Sequence, residues 1–379
     1  LDIYDELGVR RVINGAGTLT ALGGSLMEPE TVQAMVQAAE SFVYMDELMK
    51  KAGEVIANTT GAEAGLVTSG GGASLALAAA ACMTGLDLDR VLKLPDTSGM
   101  KNEVVIQKLH ANKYDRCVRV SGAKLVQVGT DAGTKIEDLE LAMSHRTAAI
   151  LYFAFDPQEG VLPLGEVISV GKRHGVPVVV DAAAELPPAE NLRKFVKAGA
   201  DLVLFSGGKQ ISGPNDSGFL CGRSDLIEAA WLNAFPNSQG IGRTMKISKE
   251  QVVGLVVALK RYVSKNHDAE MAKWTDMAER MAEELNRLPH VNAEVTLGVG
   301  RVRPLCIPRT ELRIDEREAG VTVLGLVEEL KNGDPVVEVL PVKGDTAVQV
   351  NPQCLKQGED DIIVERIREI VSRRSGRNE

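Results

Sequence analysis

Between Gly65 and Cys221 the chain alternates short apolar segments with helical patterns, and this alternation limits its possible folds more than any other feature. The strand candidates are Gly65–Thr68, Glu103–Gln107, Lys124–Val128, Ala148–Phe153, Pro177–Asp181, Asp201–Phe205 and Ser217–Cys221. Helical patterns fall between most of them, at Gly72–Thr84, Tyr114–Ser121, Ile136–Ser144, Leu164–His174 and Pro188–Ala198. Parallel neighbours need a crossover connection, so this pattern predicts an α/β fold with a mainly parallel sheet covered on both faces. Ile150–Phe153 and Val178–Val180 are apolar without interruption, as strands buried on both faces are.

The flanks read differently. Residues 1–29 are Gly-rich, and Val12–Thr20 reads as a loop. Pro29–Thr59 reads as helix with a break near Phe42. From Ser248 a long helical pattern rich in Lys, Glu, Met and Ala runs to Leu288. Strands are then expected at Asn292–Thr296, Arg301–Ile307, Val336–Leu340 and Ala347–Val350, with helices at Thr322–Lys331 and Glu359–Ser372. A chain of 379 residues is expected to hold more than one core. The reading divides it into an N-terminal loop and helix (1–44), a large domain (45–255) and a small C-terminal α+β domain (256–379).

Composition excludes several classes. A net charge of -9 argues against nucleic acid as an obligatory partner, since phosphate backbones reward basic faces. The basic run Arg373–Arg377 is short and reads as a solvated tail. No apolar run is long enough to span a bilayer, and no signal peptide is visible. Five scattered cysteines without a CxxC pair read as reduced thiols in a cytoplasmic protein. Five histidines with no HxH or HxxxH spacing predict no metal site.

Four signals carry chemistry, each at the end of a strand candidate. Asp201–Phe205 runs into Ser206-Gly207-Gly208-Lys209. Ligands of open α/β sheets bind beyond the carboxyl ends of the strands. A lysine there is placed to be desolvated, which favours the free amine and imine formation. The two glycines suit a close backbone approach to a ligand. Pro177–Val180 ends in Asp181, 28 residues before Lys209. A carboxylate there suits a pyridine nitrogen that must stay protonated; alone, it reads equally as a helix N-cap. Thr68-Ser69-Gly70-Gly71-Gly72-Ala73-Ser74 opens an Ala-rich helix, and free N–H groups at a helix start cradle phosphate. His110 follows Val104–Leu109, and its flat ring suits stacking or a surface cap. Phosphate loop, stacking residue, carboxylate and lysine thus follow one another at successive strand ends.

In these residues the sequence resembles the fold-type I (aspartate-aminotransferase-like) pyridoxal 5'-phosphate (PLP) enzymes. More narrowly, it is similar to the selenocysteine synthase (L-seryl-tRNA selenium transferase)-like group, which includes D-glucosaminate-6-phosphate ammonia-lyases. The resembling stretches are Ile13–Thr20, Gly23–Met27, Thr68–Ala73, His110–Asp115, Val180–Ala183, Phe205–Lys209 and Gly242–Lys246. The resemblance implies Lys209 as the Schiff-base lysine and Asp181 as partner of the pyridine nitrogen. It implies Ser69, Gly71, Gly72 and Ser206 near the phosphate and His110 on the ring face. Arg243 and Arg303 are candidates for a substrate carboxylate or phosphate. Fold-type I sites usually lie at a dimer interface, so a homodimer or larger assembly is implied, with Asn14 and Thr18 of the N-terminal loop as substrate-binding candidates. Selenocysteine synthase carries a tRNA-binding segment before its cofactor domain. Here the motifs begin almost at Leu1 in an acidic chain, so a small amino acid is the expected substrate rather than tRNA.

The implied reaction is α,β-elimination of a β-hydroxy amino acid or amino sugar acid to a 2-oxo acid and ammonia. Lys209 would act as base, with Lys209 or His110 as acid. Racemisation, epimerisation, aldol cleavage and selenium transfer use the same lysine and aspartate and stay open at this point.

Overall fold

The computed structural model describes residues 2–155, 158–298, 303–342, 344 and 346–375. Its strands are β1 (Val12–Asn14), β2 (Ala64–Thr68), β3 (Glu103–Gln107), β4 (Lys124–Val128), β5 (Thr147–Phe153), β6 (Val178–Asp181), β7 (Leu202–Ser206), β8 (Gly218–Gly222), β9 (Val291–Thr296), β10 (Arg309–Ile314), β11 (Val336–Glu338), β12 (Leu340–Pro341) and β13 (Val348–Val350). The chain forms two compact units, Met27–Lys265 and Leu1–Leu26 with Asn266–Glu379.

In the larger unit all seven expected strands join one sheet, in the order β2-β8-β7-β6-β5-β3-β4. The pairs β3–β4, β3–β5, β5–β6 and β6–β7 are parallel, and β8 runs antiparallel to β2 and β7. Every residue of β5 and β8 is buried, which matches their unbroken apolar sequence. The Gly71–Thr84 helix is buried on nearly all sides and is built of small residues. Small side chains let it lie close against the sheet, where a helix with a single apolar stripe would leave polar groups stranded. Leu164–His174 is amphipathic by contrast, with Val167, Ile168 and Val170 inward. Pro29–Ala39 and Met45–Thr60 are separate helices, broken around Phe42 as expected. No described helix is long and apolar enough to cross a membrane.

The long pattern from Ser248 to Leu288 is two helices, Lys249–Ser264 and His267–Leu285. Asn266 ends the continuity, because its side chain accepts the Ala269 N–H at 3.0 Å and caps the second helix. The two units divide at this break, whereas the composition change had suggested a boundary near residue 255. Leu255 itself is fully buried in the larger unit.

The smaller unit holds a four-stranded antiparallel sheet, β12-β13-β10-β9, and the parallel pair β1–β11. Val12–Asn14, read as loop, is therefore a strand. Ile13 is buried and packs with Leu285, Leu312, Leu326, Val350 and Ile363. Three residues carry too little alternation to be legible alone, and it is the partner Val336–Glu338 that orders them. The expected strand Arg301–Ile307 is absent: residues 301–302 lie outside those described, residues 303–308 are irregular and β10 begins at Arg309. Pro304 and Pro308 remove two ladder donors from that stretch. Of the basic run, Arg373 is exposed and Arg374 half-buried, both end the Glu359–Ser375 helix and pair with Glu329, and residues 376–377 lie outside those described.

Candidate active site

The end of β7 sets the position of Lys209. Beyond Ser206 the chain makes a tight excursion, with the Gly207 N–H donating to Ser217 O (2.8 Å), Ser212 N–H to Lys209 O (2.9 Å) and Gly213 N–H to Gly207 O (2.9 Å). Ser212 closes the turn in the left-handed region at φ 57°. Gly207 and Gly208 serve this turn rather than a ligand: a Cβ would lie 2.2 Å from Ser217 Oγ at Gly207 and 2.4 Å from Asn215 Cα at Gly208.

Asp181 ends the adjacent strand, β6, opposite Leu204 of β7. Its Oδ1 accepts the Ala183 N–H at 2.9 Å. Burial pushes its carboxyl up to about 6, against the opposing pull of that N–H and of Lys209. Burial lowers the Lys209 ammonium below its usual range, and the Asp181 charge opposes the shift. Each group thus feels the other. Both are half-buried.

The glycine loop lies beside these two strand ends. Gly70 (φ 90°) turns the chain from β2 into the Gly71–Thr84 helix, a conformation that side-chain-bearing residues rarely adopt. No side chain caps that helix start. Thr68 Oγ1 and Ser74 Oγ pair at 2.7 Å beneath the turn. A methyl on Gly71 would stand 3.5 Å from Ala183 Cβ and 3.6 Å from Leu204 Cδ1, so the loop abuts both the Asp181 turn and β7. Ser69 Oγ donates to Met245 O (3.1 Å) and ties the Gly242–Lys246 segment to it. Arg243 on that segment is exposed, its guanidinium 5.5 Å above the Phe235 ring.

His110 is placed otherwise than a ring-stacking residue requires. It has no exposed surface, its Nδ1 accepts the Phe153 N–H at 3.3 Å, and Tyr152 meets it edge-on at 4.6 Å. Asn14, Thr18 and Arg303 belong to the smaller unit. Both ends of the Asn14 amide close its own turn, donating to Gly17 O (2.9 Å) and accepting the Ala16 N–H (3.0 Å). Thr18 and Arg303 are half-buried. The sequence reading missed Cys117, whose sulfur lies against the glycine loop and feels Asp181; it sits two residues past the resembling stretch that ends at Asp115. A separate cavity of about 930 Å³, lined by Asp46, Lys50, Glu63, Leu66, Ser224 and Trp231 among others, shares no residue with the site. Volume alone therefore does not locate the chemistry.

A buried lysine and carboxylate beside an uncapped helix start is a donor set for a phosphorylated pyridine aldehyde. The sequence profile of one family, L-seryl-tRNA selenium transferase, matches residues 12–296. The chain belongs to that family. It is 35% identical to the D-glucosaminate-6-phosphate ammonia lyase of Salmonella typhimurium, over 98% of each chain. It is 34% identical to a 5'-C-glycyluridine monooxygenase-decarboxylase of a Streptomyces species, over 97% of this chain and 92% of that one. A solved D-glucosaminate-6-phosphate ammonia-lyase structure superposes with a TM-score of 0.87 at 34% identity, covering 99% of both chains. This member of the selenium transferase family is thus a fold-type I enzyme, and its cofactor is PLP. The site fits that cofactor: the glycine loop offers main-chain N–H groups to a phosphate, and Asp181 and Lys209 offer a carboxylate and an amine within electrostatic reach of each other.

The raised Asp181 carboxyl makes a pH prediction for the cofactor-free protein. The folded chain holds this proton more tightly than the unfolded chain. The resulting stability is full below about 3.9 and is lost as pH rises through about 6. Cofactor-free Asp181→Asn should therefore match the parent near pH 4 and exceed it at pH 7, by roughly 2–3 kcal/mol. Paired thermal melts across pH 4–8 check the sign; a constant offset would contradict it.

Proposed function

We propose that this enzyme is an ammonia-lyase acting on a β-hydroxy amino acid or amino sugar acid. The observation that carries the reading is the full-length likeness to D-glucosaminate-6-phosphate ammonia lyase, in both sequence and fold, in a chain whose Asp181 and Lys209 lie at the ends of adjacent strands and feel each other's charge. When bound, PLP withdraws electrons from the substrate's Cα and so makes its proton removable.

The protein's own groups do the rest. Lys209 Nζ holds the cofactor and then serves as base, taking the Cα proton. Its depressed proton affinity keeps a share of the amine neutral at working pH. The Asp181 carboxylate holds a proton on the pyridine nitrogen. The β-hydroxyl departs as water with the proton that Lys209 carries. A water then replaces the amino nitrogen, so the net products are a 2-oxo acid and ammonia. Ser206 and the N–H groups of Gly71 and Gly72 hold the phosphate, and Ser69 holds the Met245 carbonyl beside them. Arg243, exposed on that tethered segment, binds a substrate anion. His110 acts as a positioning residue that fixes the end of β5 through Phe153.

Incubation of holoenzyme with sugar amino acids, phosphorylated and not, and with simple β-hydroxy amino acids should release ammonia and 2-oxo acid in equal amounts from at least one of them. Spectral change across the panel without ammonia would overturn the reading. The comparable likeness to the Streptomyces monooxygenase-decarboxylase supports a second reading, in which oxygen is consumed and carbon dioxide released. An oxygen electrode distinguishes the two.

The reading includes a homodimer in the cytoplasm. Five free cysteines suit a reducing compartment. Val36, Phe42, Val43 and Tyr44 form an exposed apolar series, with Phe42 wholly exposed. A run of this kind is expected to be covered. Phe42→Glu should convert the dimer to monomer in size-exclusion chromatography with light scattering. An unchanged mass for the variant, or a monomeric parent with cofactor bound, removes this part.

A further inference from the structure

The described cysteines are not equivalent. Cys117 sits in the four-residue Arg116–Arg119 helix beside Val118, which is buried at 2% exposure and anchors that helix in the core. Cys117 itself is half-buried. A Cβ built on Gly72 would stand 3.2 Å from its sulfur, tighter than ordinary contact. Gly72 is exposed and lies in the first turn of the helix that follows the glycine loop. Burial pushes the Cys117 thiol up, and the charges of Asp181 and Asp115 add to that. The sulfur therefore lies against the first turn of the helix that follows the glycine loop, whose neighbouring Gly71 abuts Ala183 in the turn after Asp181.

We propose that Cys117 is a wall of the cofactor cavity, its thiol contacting bound PLP between the glycine loop and Asp181, and that residues 72 and 117 together set the width of the phosphate end. The physical reason is steric. Gly72 has ordinary helical backbone, so alanine there brings no dihedral strain; its cost is the methyl pressed on sulfur. The sulfur or the first helix turn must then shift beside the N–H groups offered to the phosphate. The expected effect is a roughly tenfold loss of affinity. Shrinking residue 117 removes the collision.

Two measurements test this, and neither depends on the substrate, so failure of the ammonia-lyase reading would leave them intact. The first is alkylation by iodoacetamide, followed site by site by mass spectrometry. The reagent forms an S–C bond, iodide leaves and the thiol proton goes to solvent. Cys117 should react at least about tenfold more slowly in holoenzyme than in cofactor-stripped enzyme, and reconstitution with PLP should restore protection. Equal rates in the two states overturn the proposal. The second is a double-mutant cycle on the PLP dissociation constant, read by absorbance. Gly72→Ala should weaken binding about tenfold, Cys117→Ala by no more than about threefold, and the double variant should recover to within about threefold of the parent. Additive losses overturn the shared-width argument. Should Gly72→Ala fail to fold, the alkylation measurement on unmodified protein decides alone.

Discussion

Lys209→Ala should lower ammonia release by at least about 10³-fold while leaving a folded protein. The fold survives because what Lys209 gives to its turn is a backbone carbonyl, which accepts the Ser212 N–H and is unchanged by the substitution. The activity does not survive because two roles leave together: the covalent hold on the cofactor and the base at Cα. The charge that acts on Lys209 is that of Asp181, a carboxylate that cannot form an imine in its place. Truncation also takes a partly desolvated ammonium out of the interior, so the cofactor-free variant should melt no lower than its parent. Ammonia release, the imine absorbance band and thermal melting check the three parts. Activity above a tenth of the parent would remove Lys209 from the chemistry.

Asp181→Asn should reduce kcat by about 10²–10⁴-fold and weaken PLP binding as well. Asparagine keeps the shape and can still accept the Ala183 N–H, so the turn after β6 should hold. What disappears is the negative charge. Without it nothing holds a proton on the ring nitrogen, and Lys209 loses the neighbour that opposes its desolvation. The imine absorbance of the variant should consequently titrate at lower pH than that of the parent. Asp181→Glu, which keeps the charge and shifts its place, should retain more activity than Asp181→Asn. A variant with Asn and normal kcat would show that the carboxylate does not face the ring.

The large sheet was readable because each of its strands declares itself locally. Residues 148–153 and 178–180 are continuous apolar runs bounded by helical patterns, and their observed limits differ from the expected ones by a residue or so. The antiparallel placement of β8 between β2 and β7 was not readable, since an apolar run carries no direction. In the smaller unit the signal failed where the elements were short. Val12–Asn14 is ordered by Val336–Glu338, more than 300 residues away. In the larger unit the Ser224–Asn233 helix is absent from the sequence reading, although Ile227, Ala229 and Ala230 are buried on it. Asn266 divides one helical pattern into two by a side-chain cap that competes with helix continuation.

The lysine, the aspartate and the glycine turn could be named from the chain alone, because each needs a particular residue type at the carboxyl end of a strand. Their convergence is a property of strand order. Asp181 and Lys209 are neighbours because β6 lies beside β7, and Gly71 reaches the Asp181 turn and β7. Packing likewise decided the two residues whose roles changed. His110 is locked edge-on against Tyr152, and Cys117, an unremarked thiol in sequence, lies beside Gly72. Residue type and local pattern determine which groups can do chemistry; burial and adjacency, which arise only when distant segments pack, decide which of them share a cavity and how strongly each holds its proton.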